Sequence, residues 1–125
     1  MGLAVAQRLV LDGIMSIALV DITESALTTA RASLSNLNPD CKILTLGVDV
    51  SVEDQVNTAV QITVQTFGRF DICFNAAGIS GPQGGITEQT LEGMEKVLSV
   101  NLRGVWLCER AQVRQMMAQE MRAVR

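Results

Sequence analysis

Apolar positions along this chain follow two alternating rhythms, a helical spacing of three and four residues and short unbroken β-branched runs. Leu3, Ala6, Leu9 and Val10 predict an opening helix, with Gly13 as its stop. Ile17 to Val20, ending at Asp21, reads as a buried parallel strand. Thr23 then caps a helix whose stripe is Leu27, Ala30, Leu34 and Leu37, closed by Asn38-Pro39 because the residue before proline is pushed out of helical geometry. A second strand is predicted from Lys42 to Val50, with Gly47 as its weak centre. Ser51-Val52-Glu53-Asp54 reads as a capping box, leading into a helix with Val56, Ala59, Val60, Thr63 and Phe67 on one face and Gly68 at its end. Phe70 to Phe74 is the third predicted strand. After the glycine-rich stretch Gly78 to Gly85, Thr90 caps a long helical region running to about Met121, with Met94, Val97, Leu98, Asn101, Val105 and Cys108 on one stripe.

Helices and buried strands in alternation imply an α/β fold with a parallel sheet, and such sheets take ligands beyond the carboxyl ends of their strands. Asp21, Asp49 and Asn75 all stand at such ends. The carboxylate of Asp21 is placed to accept both ribose hydroxyls of an adenosine and to repel a 2′-phosphate, which predicts NAD over NADP. Asp49 is placed to accept from an adenine amino group while the Val50 backbone meets the ring edge; its plainer role is a cap for the next helix, which Ser51 is expected to fill. Asn75 offers both donors and acceptors at a turn. Ala76, Ala77 and Gly78 carry too little side chain to keep a flat ligand away.

Composition narrows the classes. At 125 residues the chain suits one compact domain, residues 1–125. Its net charge of -3, ten scattered Lys and Arg, one Trp and no Tyr argue against nucleic acid. No apolar run approaches the roughly twenty residues of a membrane-spanning helix, and the first residues lack both a basic leader and the Ser or Thr of a myristoylation signal. Cys41, Cys73 and Cys108 are too far apart for a zinc or redox motif, so three buried reduced thiols in a cytoplasmic protein are expected, with no metal site. The absence of histidine excludes His-based catalysis.

Asp21, Asp49-Val50, Asn75-Ala76-Ala77-Gly78 and Val100-Asn101-Leu102-Arg103-Gly104 together resemble the short-chain dehydrogenase/reductase family, and the likeness spans nearly the whole chain. The resemblance implies a doubly wound Rossmann-type fold, a nicotinamide cofactor and hydride transfer to or from a small alcohol or ketone. It also implies that Asn101 is the helix asparagine that holds a water in the proton relay; its plainer reading is an amide satisfying an opened helical turn.

The chain also departs from the family's pattern. The opening strand and the glycine-rich phosphate turn have no counterpart apart from Gly2, and the chain has no tyrosine for the Tyr-x-x-x-Lys pair, nor the Ser that assists it. Loss of two or three phosphate hydrogen bonds weakens cofactor binding by roughly three orders of magnitude. The expectation is therefore a partial sheet that lacks its first and later strands, truncated at both ends and inactive by itself. In a doubly wound sheet the missing first strand would lie between the second and the fourth, which separates Phe70–Phe74 from the two earlier strands. Two alternatives from other classes stand beside this. One is a non-catalytic protein that uses Trp106, Met116, Met117 and Met121 as a contact surface, with an intact relative or as a homo-oligomer, unless these residues merely cover the sheet. The other is a weak nucleotide binder without chemistry.

Overall fold

The computed structural model describes residues 1–120. Among these residues five α-helices and two strands follow in the order α1 (Gly2–Leu11), β1 (Ser16–Asp21), α2 (Glu24–Leu37), β2 (Lys42–Gly47), α3 (Glu53–Phe67), α4 (Leu91–Leu98) and α5 (Val105–Ala118). A single 3-10 turn, Ile86–Glu88, precedes α4, and a π-helical segment, Ser99–Gly104, joins α4 to α5.

The strands pair in parallel, in register from Ser16 with Lys42 to Asp21 with Gly47. Side chains on such strands alternate between faces, so Ile17, Leu19 and Ile43 share one side, and Leu46 lies on the other. Each side carries its own core. Ala6 and Val10 of α1, Leu34 of α2 and Cys41 are buried against Ile17, Leu19 and Ile43. Val56 and Ala59 of α3, Leu107 and Ala111 of α5 and Val48 are buried together, with Leu46 and Val50 against them. Helices on both faces of a parallel sheet are the doubly wound arrangement, here with two strands among the described residues. The helical stripes give the reason: Leu27 and Leu34, or Val56, Ala59 and Thr63, recur at helical spacing and bury one side of each helix.

The helix ends follow local chemistry. Gly13, at φ +99°, lets α1 end with its N–H on the Val10 carbonyl and the Ile14 N–H on the Leu9 carbonyl, a closure that needs a left-handed residue. Gly68, at φ +86°, ends α3 with its N–H on the Val64 carbonyl at 2.7 Å. Thr90 caps α4 by accepting the Gly93 N–H at 3.1 Å.

Four expectations are corrected. Phe70–Phe74 is extended but is not a strand, because no strand among the described residues lies beside it to share a ladder. The second strand ends at Gly47, not Val50; Gly47 closes the pairing opposite Asp21 and does not interrupt it. Ser51–Asp54 is no capping box: Val52 holds the cap position, and Ser51 is occupied by Asp49. The long helix breaks into α4, the π segment and α5, and α5 ends at Ala118, while Met121 lies outside the described residues. Its predicted stripe is also displaced, since Met94 and Leu98 are exposed while Gly104, Leu107 and Ala111 face the core.

Candidate dinucleotide site

Beyond the carboxyl ends of β1 and β2 lies an open cleft of about 630 Å³. Ile22, directly after Asp21, lines it together with Glu24, Thr45, Val48, Asp49 and Gln55. The Val48 N–H donates to the Asp21 carbonyl at 3.0 Å, which carries the strand pairing one residue past β2 and brings the two acidic strand ends together.

Each carboxylate is held by its own chain. Asp21 Oδ1 accepts the Thr23 N–H at 2.8 Å, a turn that starts α2 with no help from the Thr23 hydroxyl. Asp49 Oδ1 accepts both the Ser51 hydroxyl, at 2.6 Å, and the Ser51 N–H, at 2.9 Å. Those bonds from the Ser51 side chain and backbone pull the Asp49 carboxyl below the usual aspartate range; burial opposes them, and the charges of Lys96 and Arg103 add to the lowering. Gln55, in the first turn of α3, reaches back to accept the Asp49 N–H at 2.8 Å.

The second half of the site is the turn from Asn75 to Gly78. In the extended stretch before it, Ile72 and Phe74 are exposed while Cys73 and Asn75 are half-buried, the alternation of a strand without strand neighbours. Asn75 is paired with Gln112 of α5: Gln112 Oε1 accepts from Asn75 Nδ2 at 3.0 Å, and Asn75 Oδ1 accepts from Gln112 Nε2 at 2.9 Å. Its amide therefore faces the helix, not the open side of the turn. Ala76, Ala77 and Gly78 are exposed.

Two close approaches bring these parts to one end of the molecule. A Cβ placed on Gly2 would stand 3.2 Å from Ala76 Cβ, so the first turn of α1 abuts the Asn75–Gly78 turn. A Cβ on Gly104 would stand 2.8 Å from Val50 Cγ2 and 3.2 Å from the Val50 carbonyl oxygen, so the entry to α5 rests on Asp49-Val50.

Asn101 sits inside the π segment. Its Oδ1 accepts the Ile79 N–H and its Nδ2 donates to the Ile79 carbonyl, each at 2.8 Å. The π segment replaces the α-helical bonding pattern over this stretch, and the Asn101 side chain is spent on Ile79, not on the helix backbone. Among the thiols, only Cys41 is fully buried, which corrects the expectation of three; Cys73 and Cys108 are half-buried, and all three are free. Burial pushes each thiol up, and proximity to Cys108 raises Cys73 further.

Gln55, Gln112 and Gln119 escaped the sequence reading. Amides on the sheet-facing side of α5, one turn from Cys108 in the case of Gln112, were the available signal.

With this geometry in view, the whole chain, residues 1–125, matches the family model described as Enoyl-(Acyl carrier protein) reductase. Levodione reductase of Leifsonia aquatica is 41% identical over 107 residues, which are 86% of this chain and 40% of that protein. The chain belongs to the short-chain dehydrogenase/reductase family. A second relative in sequence, 2-(R)-hydroxypropyl-CoM dehydrogenase of Xanthobacter autotrophicus, is 34% identical over 94% of this chain and 47% of its own length. In three dimensions the crystal structure of levodione reductase superposes with a TM-score of 0.90 at 39% identity, covering 94% of this chain and 45% of that one. NAD+-bound xylitol dehydrogenase superposes at 0.88 and 33% identity, covering 94% and 44%. The chain thus spans less than half the length of these short-chain dehydrogenases and reductases.

Proposed function

We propose that this chain supplies the adenosine side of an NAD site in an oxidoreductase that transfers hydride to or from a small alcohol or carbonyl compound. The observation that carries the reading is the cleft at the ends of β1 and β2, lined by Ile22, the residue after Asp21, and by Asp49. Its size suits an adenosine moiety, and the carboxylate of Asp21 beside Glu24 disfavours a 2′-phosphate by charge repulsion. The relatives' names, a reductase of levodione and a dehydrogenase of 2-(R)-hydroxypropyl-CoM, support alcohol and carbonyl chemistry. The bare turn Ala76–Gly78 leaves room for the cofactor to lie close to the backbone on its adenosine side; the nicotinamide ring, when bound, would give or take the hydride.

Asn101 is proposed for the proton relay through its backbone, because the side chain is held by Ile79 and the residue lies where the π segment interrupts the α-helical bonding pattern. This chain has no tyrosine, so the family's proton donor is not within it, and by itself it is expected to turn over no substrate. Its free thiols favour a reducing, cytoplasmic setting; no helix among the described residues is long and apolar enough to cross a membrane.

Calorimetric titration tests the reading. NAD is expected to bind more tightly than NADP, and Asp21→Ala is expected to remove the difference. Equal, negligible heats for both nucleotides would reject the site and with it the weak-binder alternative.

One observation favours a second reading, self-association through the outer side of α5. Trp106 is 53% exposed and Met117 82% exposed, so neither covers the sheet, and Arg110 stacks over Trp106 at 4.4 Å while it ion-pairs with Glu53. Sedimentation equilibrium decides it: a dimer supports the reading, and a monomer at all concentrations removes it.

A further inference from the structure

We propose that Gln55 is a positioning residue for Asp49-Val50, holding the Asp49 backbone so that one free carboxylate oxygen and one free N–H stand together for the edge of an adenine ring. As to the ligand, this rests on the dinucleotide reading above; as to how Asp49 is held, it stands on the bonds around that residue.

Asp49 follows β2, and its polar groups are taken one by one. The Val48 N–H donates to Asp21 of β1, and N–H groups alternate in direction along an extended chain, so the Asp49 N–H turns away from β1. There Gln55 Oε1 accepts it at 2.8 Å. The Asp49 carbonyl accepts the Val52 N–H at 3.0 Å, and Asp49 Oδ1 accepts the Ser51 hydroxyl and N–H. Two groups are left without a hydrogen-bond partner among the described residues, Asp49 Oδ2 and the Val50 N–H. The first accepts and the second donates.

Adenine offers the complement, an amino group that donates beside a ring nitrogen that accepts. Hypoxanthine has the same shape and the reverse pattern on that edge, a carbonyl oxygen beside a ring N–H. It would set acceptor against Asp49 Oδ2 and donor against the Val50 N–H, so telling the two bases apart depends on both protein groups keeping their places.

Of the ties on Asp49, only the one from Gln55 comes from the body of α3; Ser51 and Val52 precede the helix. Gln55 is followed by Val56, which is 4% exposed and shares a core with Ala59, Leu107 and Ala111, so the first turn of α3 is fixed by packing. Gln55 also lines the cleft together with Asp49. Its bond thus passes the position of a packed helix to the loop that meets the base. Without that bond, Asp49-Val50 is held only by the loop's own contacts.

Calorimetric titration of the chain with AMP and with IMP, the adenine and hypoxanthine nucleotides, tests this, because the ratio of the two affinities cancels whatever affects both. The parent is expected to favour AMP about tenfold. Gln55→Met keeps the length of the side chain and removes the acceptor, and is expected to cut that ratio about fivefold. Gln55→Glu keeps an acceptor for the Asp49 N–H and is expected to retain the parent ratio. A ratio unchanged in Gln55→Met, or cut as deeply in Gln55→Glu, would overturn the positioning role; a loss of fold stability alone weakens both nucleotides alike and leaves the ratio where it was. Should Gln55→Met fail to fold, Gln55→Lys, with a donor in place of the acceptor, is read in the same way. A parent chain that binds neither nucleotide rejects the dinucleotide reading and the role of Gln55 with it. A parent that binds both, with a ratio that no variant moves, rejects the role of Gln55 alone.

Discussion

Asn101 grips Ile79 by both of its backbone polar groups, N–H to Oδ1 and C=O to Nδ2, each at 2.8 Å. The contact joins the π segment between α4 and α5 to the residue that follows Gly78, so the helix break and the small-residue turn are held as one unit. A Cβ added to Gly78 would stand 3.4 Å from Asn101 Oδ1, ordinary contact, which shows how closely the turn lies on that amide.

Replacing Asn101 by alanine removes both bonds at an exposed position, where water replaces part of what is lost. The expected cost is about 1 kcal/mol, read as a lower urea midpoint with an unchanged slope. Asn101→Asp keeps the bond from the Ile79 N–H but sets a carboxylate oxygen against the Ile79 carbonyl. Its instability is expected to ease as pH falls and the new carboxyl gains a proton to donate.

Gly104 has helical backbone angles, so alanine there would ordinarily strengthen the helix by about 1 kcal/mol. The methyl would meet Val50 at 2.8 Å and the Val50 carbonyl at 3.2 Å, and a backbone carbonyl cannot swing aside. Net destabilisation of about 1 to 3 kcal/mol is expected on thermal or urea unfolding. Gly47→Ala is the control: nothing stands within 4 Å of its added Cβ, so stability should hold or rise by about 0.5 kcal/mol.

Asp49 makes stability depend on pH. Its carboxyl is held below the ordinary range, chiefly by the Ser51 hydroxyl and then by the Ser51 N–H, so the folded state binds a proton less readily than the unfolded chain. The contribution is fully present above the unfolded aspartate value of about 3.9 and is lost as pH falls through the lower folded value. Ser51→Ala should flatten this acid limb of the urea midpoint against pH, while stability near pH 7 falls by the loss of the hydroxyl bond.

Much of the helix–strand order was legible because it is written in periodicity: Leu27 and Leu34, or Val56, Ala59 and Thr63, leave one arrangement that buries them. Asp21 and Asp49 were legible as a pair because strand ends converge in a parallel sheet. Phe70–Phe74 has the composition of a strand, but a strand also needs a neighbour, and composition carries no information about one; none lies beside it among the described residues. The Ser51 cap failed because a carboxylate two residues earlier competes for the same hydroxyl and N–H. Gln112 and Gln119 were passed over because a glutamine on a helix is usually a solvated side chain, and only the path of the opposite segment gives Gln112 the Asn75 amide and Gln119 both backbone groups of Phe70.

On the reading proposed above, Asp21, Asp49-Val50 and Asn75–Gly78 belong to one dinucleotide site. Titrating the 15N-labelled chain with NAD and following its amide resonances tests this most directly. The amides of Ile22, Val50 and Ala76 to Gly78 are expected to shift together with a single affinity, and Asp21→Ala is expected to weaken that affinity. Resonances that stay still at these positions, or shifts confined to other parts of the chain, would contradict it.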